Sequence, residues 1–233
     1  MIDPRLKLEL TLKPGTVFQG NGGVEKWVSS IGGHCFTQDI VANKPQLQLD
    51  GLYFDGGDAL SGTIPTMDTR LPWTIEWWQY ELSQSGWQTP FYLYSPATIY
   101  VSFNGGTIYL SDGVINTING AGITRSLNAW IHNTASFDGT TYRFYRGGVQ
   151  VASSTTLLAA GNVGNLFLQS YSGTNNWING RLTDFRLYTS CLYPNGATFT
   201  PPPRSQMGVS PVPPPPLAVI SAAALGNSFQ FGS

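Results

Sequence analysis

From Val24 to Tyr188 the chain is a succession of short runs in which apolar and polar positions alternate, and no window before the tail keeps a 3.6-residue apolar period. Gly, Asn and Ser punctuate these runs every eight to twelve residues. The pattern predicts strands over 24–29, 35–41, 47–54, 73–82, 91–93, 99–103, 107–110, 129–137, 141–145, 149–153, 165–171 and 178–188. Asp138-Gly139 and Gly147-Gly148 supply the positive-φ residues of tight hairpins, so 129–153 forms a three-strand meander. Asn104-Gly105-Gly106 marks another hairpin. The expected fold is all-β, a two-sheet antiparallel sandwich.

Both ends extend this body. In Leu6-Lys7-Leu8-Glu9-Leu10-Thr11-Leu12 the leucines share one face, and Pro14-Gly15 ends the run. It reads as a half-buried strand, at a sheet edge or lent to a neighbour. In the last predicted strand, Phe185 and Leu187 share one face while Asp184, Arg186 and Tyr188 share the other. A run of prolines follows, and then an apolar, charge-free tail too small to fold alone. The expected division is an arm over 1–20, a body over 21–200, a Pro-rich linker over 201–216 and a docking tail over 217–233. A semi-rigid spacer would carry the tail to a partner. The residues expected to make such assembly contacts are Leu6, Leu8 and Leu10 in the arm, and Leu217, Val219, Ile220, Leu225 and Phe229 in the tail.

Length and charge narrow the classes. The 233 residues fit one all-β domain with extensions. Only 11% are charged and the net charge is -1, which leaves no basic field to collect nucleic acid. The start, Met1-Ile2-Asp3-Pro4-Arg5, lacks the apolar core of a secretory signal, and no segment approaches a membrane span. The expectation is a soluble protein made in the cytosol. Cys35 and Cys191 are too far apart in sequence for a CxxC site and read as two buried thiols. A disulfide between them would need an oxidising compartment.

Four segments, in order, resemble the concanavalin A-like lectin/glucanase superfamily in its laminin-G-like or pentraxin-like branch. They are Leu52-Tyr53-Phe54-Asp55-Gly56-Gly57-Asp58-Ala59-Leu60, Trp73-Thr74-Ile75-Glu76-Trp77-Trp78, the meander from Leu127 to Val151, and Asn179-Gly180-Arg181-Leu182-Thr183-Asp184-Phe185-Arg186-Leu187-Tyr188. The resemblance implies a two-sheet antiparallel jelly-roll. The ending, an Asp-Phe-Arg strand and then Phe199-Thr200-Pro201-Pro202, is similar to lectin-like modules encoded by tailed bacteriophages. That likeness implies a virion protein assembled in the host cytoplasm.

Glucanases of this superfamily carry two acidic residues on one strand face. Here Thr74 and Trp78 flank Glu76 on its face, and Glu81 has the opposite parity, so the pair is missing. His34 and His132 lack a triad context, with His132 expected to be structural. Gly20-Asn21-Gly22-Gly23 lacks the lysine and helix of a phosphate loop. The expectation is a non-enzyme without a cofactor. Trp87 and Trp177, with Asn175 and Asn176, are the candidate sugar contacts, while Trp73, Trp77 and Trp130 are assigned to the core. Asp55, Asp58 and Asp184 are candidate calcium ligands if the first and last strands of the body adjoin. The leading function is a homo-oligomeric virion structural protein, a capsid decoration or cement protein bound to other capsid or tail subunits through its arms. The alternative is a glycan-binding tail-fibre or neck-fibre adhesin for a host glycan.

Overall fold

A computed structural model of the protein describes residues 3–173 and 175–205. The expected docking residues Leu217, Val219, Ile220, Leu225 and Phe229, and 206–216 of the expected linker, lie outside these. The strands are β1 (Leu6–Leu10), β2 (Val17–Gly20), β3 (Gly23–Val28), β4 (Cys35–Thr37), β5 (Gln46–Gln48), β6 (Gly51–Asp55), β7 (Leu60–Asp68), β8 (Trp73–Glu81) and β9 (Trp87–Tyr94). They continue as β10 (Thr98–Asn104), β11 (Thr107–Ser111), β12 (Asn116–Gly122), β13 (Trp130–Phe137), β14 (Tyr142–Arg146), β15 (Val149–Ser154), β16 (Asn162–Leu168) and β17 (Asn179–Tyr188).

Two antiparallel sheets stack as a sandwich. Sheet A runs β15-β14-β13-β8-β17-β6-β5, with β1 also on β17, and sheet B runs β12-β11-β10-β9-β16-β7-β4-β3-β2. Alternation sends Trp73, Ile75 and Trp77 of β8 and Phe185 and Leu187 of β17 inward, where all are fully buried. Phe91 of sheet B meets Trp77 edge-on at 5.2 Å and Phe185 at 5.9 Å, so its ring locks the sheets together. The meander forms as expected, β13 to β14 to β15.

The sequence and the structure part company at several strands. The run predicted over 47–54 is a hairpin of β5 and β6, with Leu49 exposed at its turn. β2, β7 and β12 were not expected. β7 contains Gly62 and Pro65, which read as breakers. Gly62 is needed there, because a Cβ at that position would lie 2.2 Å from the Cys35 carbonyl oxygen of β4. Cys35 and Cys191 are free thiols, half-buried rather than buried.

The N-terminal arm needs correction. β17 pairs with β6 over Asn179–Leu182 and with β1 over Phe185–Tyr188, changing partner at Asp184, whose φ of 53° makes a bulge. β1 therefore fills the half-edge of β17 that β6 leaves open. Leu8 and Leu10 are fully buried in the chain's own core, which leaves neither free for docking, and Leu6 is half-buried beside them.

The body does not end at Pro201 either. Residues 199–205 cross the outer face of sheet A as a strap. Phe199 N donates to Gly148 O at 3.0 Å, and Trp78 Nε1 donates to Pro202 O at 3.1 Å. Arg204 donates to Asp50 O at 2.7 Å and lies over the Trp130 ring, and Ser205 N donates to Asp184 Oδ2 at 2.6 Å. Phe199 also stacks on Tyr193 with ring centroids 3.5 Å apart. Trp130, expected in the core, is half-buried on this outer face, where its Nε1 donates to Asp50. Gly148 (φ +81°) admits the strap because a Cβ there would strike the Phe199 carbonyl. Gly148→Ala is expected to destabilise the fold by about 2 kcal/mol and expose the strap to proteolysis. Urea titration with limited digestion checks this, and an unchanged midpoint with an intact strap would contradict it.

Candidate functional site

The outer face of sheet B carries the candidate site. β9, β10 and β11 place apolar residues inward at alternate positions and aromatics outward, so Tyr92, Tyr94, Tyr100 and Tyr109 stand half-buried on the outside. Trp87 opens β9, expected as a loop residue, and its ring is 45% exposed against Tyr109 at 4.8 Å. After β16 the chain folds back over the start of β9. Gln169 N donates to Pro90 O at 2.8 Å and Thr89 N to Asn176 O at 2.9 Å. Tyr171 is set by a tight turn in which its N–H donates to Asn175 O at 2.9 Å.

These elements border a shallow, open pocket of about 200 Å³ lined by Trp87, Tyr100, Ser102, Tyr171 and Asn176. Tyr100 and Tyr171 meet edge-on at 5.0 Å. Burial, with the neighbouring Tyr92 and Tyr100, pushes the Tyr171 phenol up, so it stays protonated and able to donate. Ser102 is tied to Thr89 at 2.6 Å, whereas the Asn176 carboxamide has no hydrogen-bond partner among the described residues. Asn176 holds a φ of 54°, a left-handed conformation that Asn tolerates. An aromatic face, phenols and an uncommitted amide in one depression suit a ring with both C–H and hydroxyl surfaces.

Of the four expected sugar contacts, the structure brings Trp87 and Asn176 together. Asn175 is exposed and serves the turn through its carbonyl, and the half-buried Trp177 does not line the pocket. Tyr100, Tyr171 and Ser102 were missed. A wider open groove of about 760 Å³, lined by residues including Leu47, Leu49, Asp50 and Arg181, is less suited. Its charges are spent on each other, with Arg181 and Trp130 both donating to Asp50.

The calcium reading does not hold. Asn179 is the residue of β17 opposite Asp55, and Asp184 lies five positions further along the strand. Asp184 is fully buried, paired with Arg186 at 3.1 Å and with Ser205 N, and among the described residues no three His, Cys, Asp or Glu side chains group to hold a metal ion. Asp55 caps its own turn through Gly57 N at 3.0 Å, and Asp58, 3% exposed, accepts from Asp55 N at 3.0 Å.

Burial pushes the Asp58 carboxyl up to about 6, well above its ordinary value. Its contribution to stability is therefore full below about pH 4 and is lost as pH rises through about 6. Asp58→Asn, which cannot ionise, is expected to gain about 1–2 kcal/mol relative to the parent between pH 4 and 7. Urea titrations at both pH values check it; a pH-independent difference would contradict the assignment.

Glu76, on the outer face of β8, is sealed under Tyr193 and the strap. It accepts from Tyr193 at 3.0 Å and Tyr188 at 3.2 Å, and lies 3.5 Å from both Arg186 and His132. Burial pushes its carboxyl up, but the contacts with His132, Arg186 and Tyr193 outweigh this and hold it below its ordinary value. His132 is itself buried, edge-on to Trp78 and Phe199.

A second buried network lies between the sheets. Glu81 accepts from Arg125 Nε at 2.8 Å and sits 3.6 Å from Arg146. Arg125 also donates to Gln88 and to Gly105 O, and the Gln88 amide donates to Ser83 O at 3.1 Å. Gln88 follows Trp87, so this network pins the backbone that presents the indole. Burial and the like charge of Arg125 push the Arg146 guanidinium down, against the pull of Glu81.

Two antiparallel sheets with inward aromatic packing and a pocket on one outer face define a jelly-roll β-sandwich. The Laminin_G_3 family model, described as the concanavalin A-like lectin/glucanases superfamily, matches residues 54–195, and the chain belongs to that superfamily. A search of curated proteins finds no match. Among solved structures, the chain is similar to Trypanosoma rangeli sialidase, at 16% identity and a TM-score of 0.59, over 82% of this chain and 32% of that one. The same sialidase in complex with sialic acid matches at 14% identity and a TM-score of 0.60, again over 82% and 32%. The Ruminococcus gnavus IT-sialidase CBM40 bound to α2,3-sialyllactose matches at 13% identity and a TM-score of 0.48, over 64% of this chain and 94% of that one. The match thus spans about a third of the sialidase, and at these identities the likeness is one of fold. No helix among the described residues is long and apolar enough to cross a membrane.

Proposed function

We propose that this protein is a non-enzymatic carbohydrate-binding module whose sugar site is the pocket of Trp87, Tyr100, Tyr171 and Asn176. The observation that carries the reading is the exposed indole at the mouth of a pocket that also holds a carboxamide with no hydrogen-bond partner among the described residues. Sugar rings stack their C–H faces on such indoles and bond their hydroxyls to amides and phenols. Glu76 and Asp184 are buried and committed to protein partners beneath the strap, which argues against hydrolysis at that face. If the protein works on a virion, this pocket favours a host-recognition adhesin over capsid decoration, because a cement protein needs no sugar site. Binding of the whole chain to a glycan array, lost in Trp87→Ala, is the expected result. A silent array, or one on which the variant binds like the parent, would overturn the proposal.

A further inference from the structure

The pocket is one end of a longer surface. Tyr100 and Tyr171 meet Tyr92 at 5.9 and 4.7 Å, and Tyr92 meets Tyr94 at 5.6 Å. Phe167 of β16 then stacks on Tyr94 at 5.1 Å with ring planes 13° apart. From Trp87 to Tyr94 this row follows β9 for about 20 Å, longer than a single sugar ring.

The row is also free of charge. Asp112 is the only charged residue from Trp87 to Ala121, and there is none from Asn162 to Gly180, segments that contain β9 to β11, most of β12 and all of β16. Asp112 is occupied by the N–H groups of Val114, Ile115 and Ala159. On the neighbouring β7, Asp68 lies at the far end, opposite Asn162. A carboxylate-bearing sugar would find no cation here to offset its desolvation. Sheet A, by contrast, has its outer face crossed by the strap, so the long bare aromatic surface belongs to sheet B.

Resting on the reading of the pocket as a sugar site, we propose that the ligand is an uncharged, multi-unit glycan chain. It lies along the outer face of sheet B, with one end in the Trp87 pocket and its further units over Tyr92, Tyr94 and Phe167.

Calorimetry on the full chain tests this with neutral gluco-, xylo- and manno-oligosaccharides from disaccharide to hexasaccharide. Oligogalacturonates of matching length and sialyllactose provide the anionic arm, and each titration is run at low and high salt. The expected result is a neutral series whose affinity rises about tenfold or more with length and is indifferent to salt. Tyr94→Ser with Phe167→Ser should remove the gain with length, so that the affinity of the hexasaccharide for this variant falls to that of the disaccharide for the same variant. If that variant fails to fold, the length and salt dependence of the parent decide the matter. Binding that is flat with length, or that favours the anionic probes and weakens with salt, overturns this proposal while the sugar-site reading stands. Absence of binding to every probe overturns both. A dimer in sedimentation that Tyr94→Ser dissociates would give the face to a second copy and overturn this proposal alone.

Discussion

Glu81→Gln is expected to cost the fold about 3–5 kcal/mol, a large share of the roughly 5–15 kcal/mol that holds a domain together. The substitution keeps the shape of the side chain and removes the carboxylate that faces both Arg125 and Arg146, whose side chains are 0% and 4% exposed. Two guanidinium groups would then share a low-dielectric space without a counter-charge. Among the described residues Arg146 is already short of partners, since its Nε and Nη2 make no hydrogen bond there. Urea unfolding of parent and variant measures the loss, and Glu81→Gln combined with Arg125→Met should restore part of it by removing one of the stranded charges. A loss below about 1 kcal/mol would show that the network is hydrated or its charges screened. Because Arg125 also fixes Gln88, Glu81→Gln should weaken sugar binding as well, through displacement of the neighbouring indole.

Trp87→Ala is expected to weaken glycan binding by about 2 kcal/mol or more, roughly thirtyfold, with little change in stability. The two effects separate because the ring is exposed and its described ring contact is with Tyr109 on the same outer face. Trp77→Ala would do the reverse. That ring is fully buried against Phe91 and Phe144, and its removal should cost about 3–5 kcal/mol of stability. Titration of each variant with the best array ligand, alongside urea unfolding, distinguishes them. Equal loss of binding and stability in Trp87→Ala would place the indole in the scaffold instead.

The parts of the fold legible in the sequence are those fixed by local chemistry. Asp138-Gly139 and Gly147-Gly148 announce the meander because few residues other than Gly, Asn and Asp accept the positive φ of such turns. The leucine face of β1 was equally plain, but period alone does not say whose core a face enters. The half-open edge of β17 decides that, and its position is set by where β6 stops pairing and by the bulge at Asp184. The strap was hidden for a related reason. Prolines read as a linker, while their partners Gly148, Trp78 and Asp184 are spread over more than a hundred residues of sequence. The candidate site was half legible. Trp87 and Asn176 stood out as isolated polar-aromatic signals, but Tyr92, Tyr94 and Tyr100 alternate with Phe91, Leu93, Ile99 and Val101. A strand apolar at every position reads as buried on both faces, although tyrosine at every second position is a mark of an outward aromatic face.

The strap also gives the molecule a direction. β1 and Ser205, close to the two ends of the described chain, both lie on sheet A, where Leu12 N donates to Ser205 Oγ at 3.3 Å. The described chain therefore starts and stops on the sheet A side of the sandwich, and the tyrosine face of sheet B looks the other way. A partner resting against that side would leave the proposed glycan track unshaded.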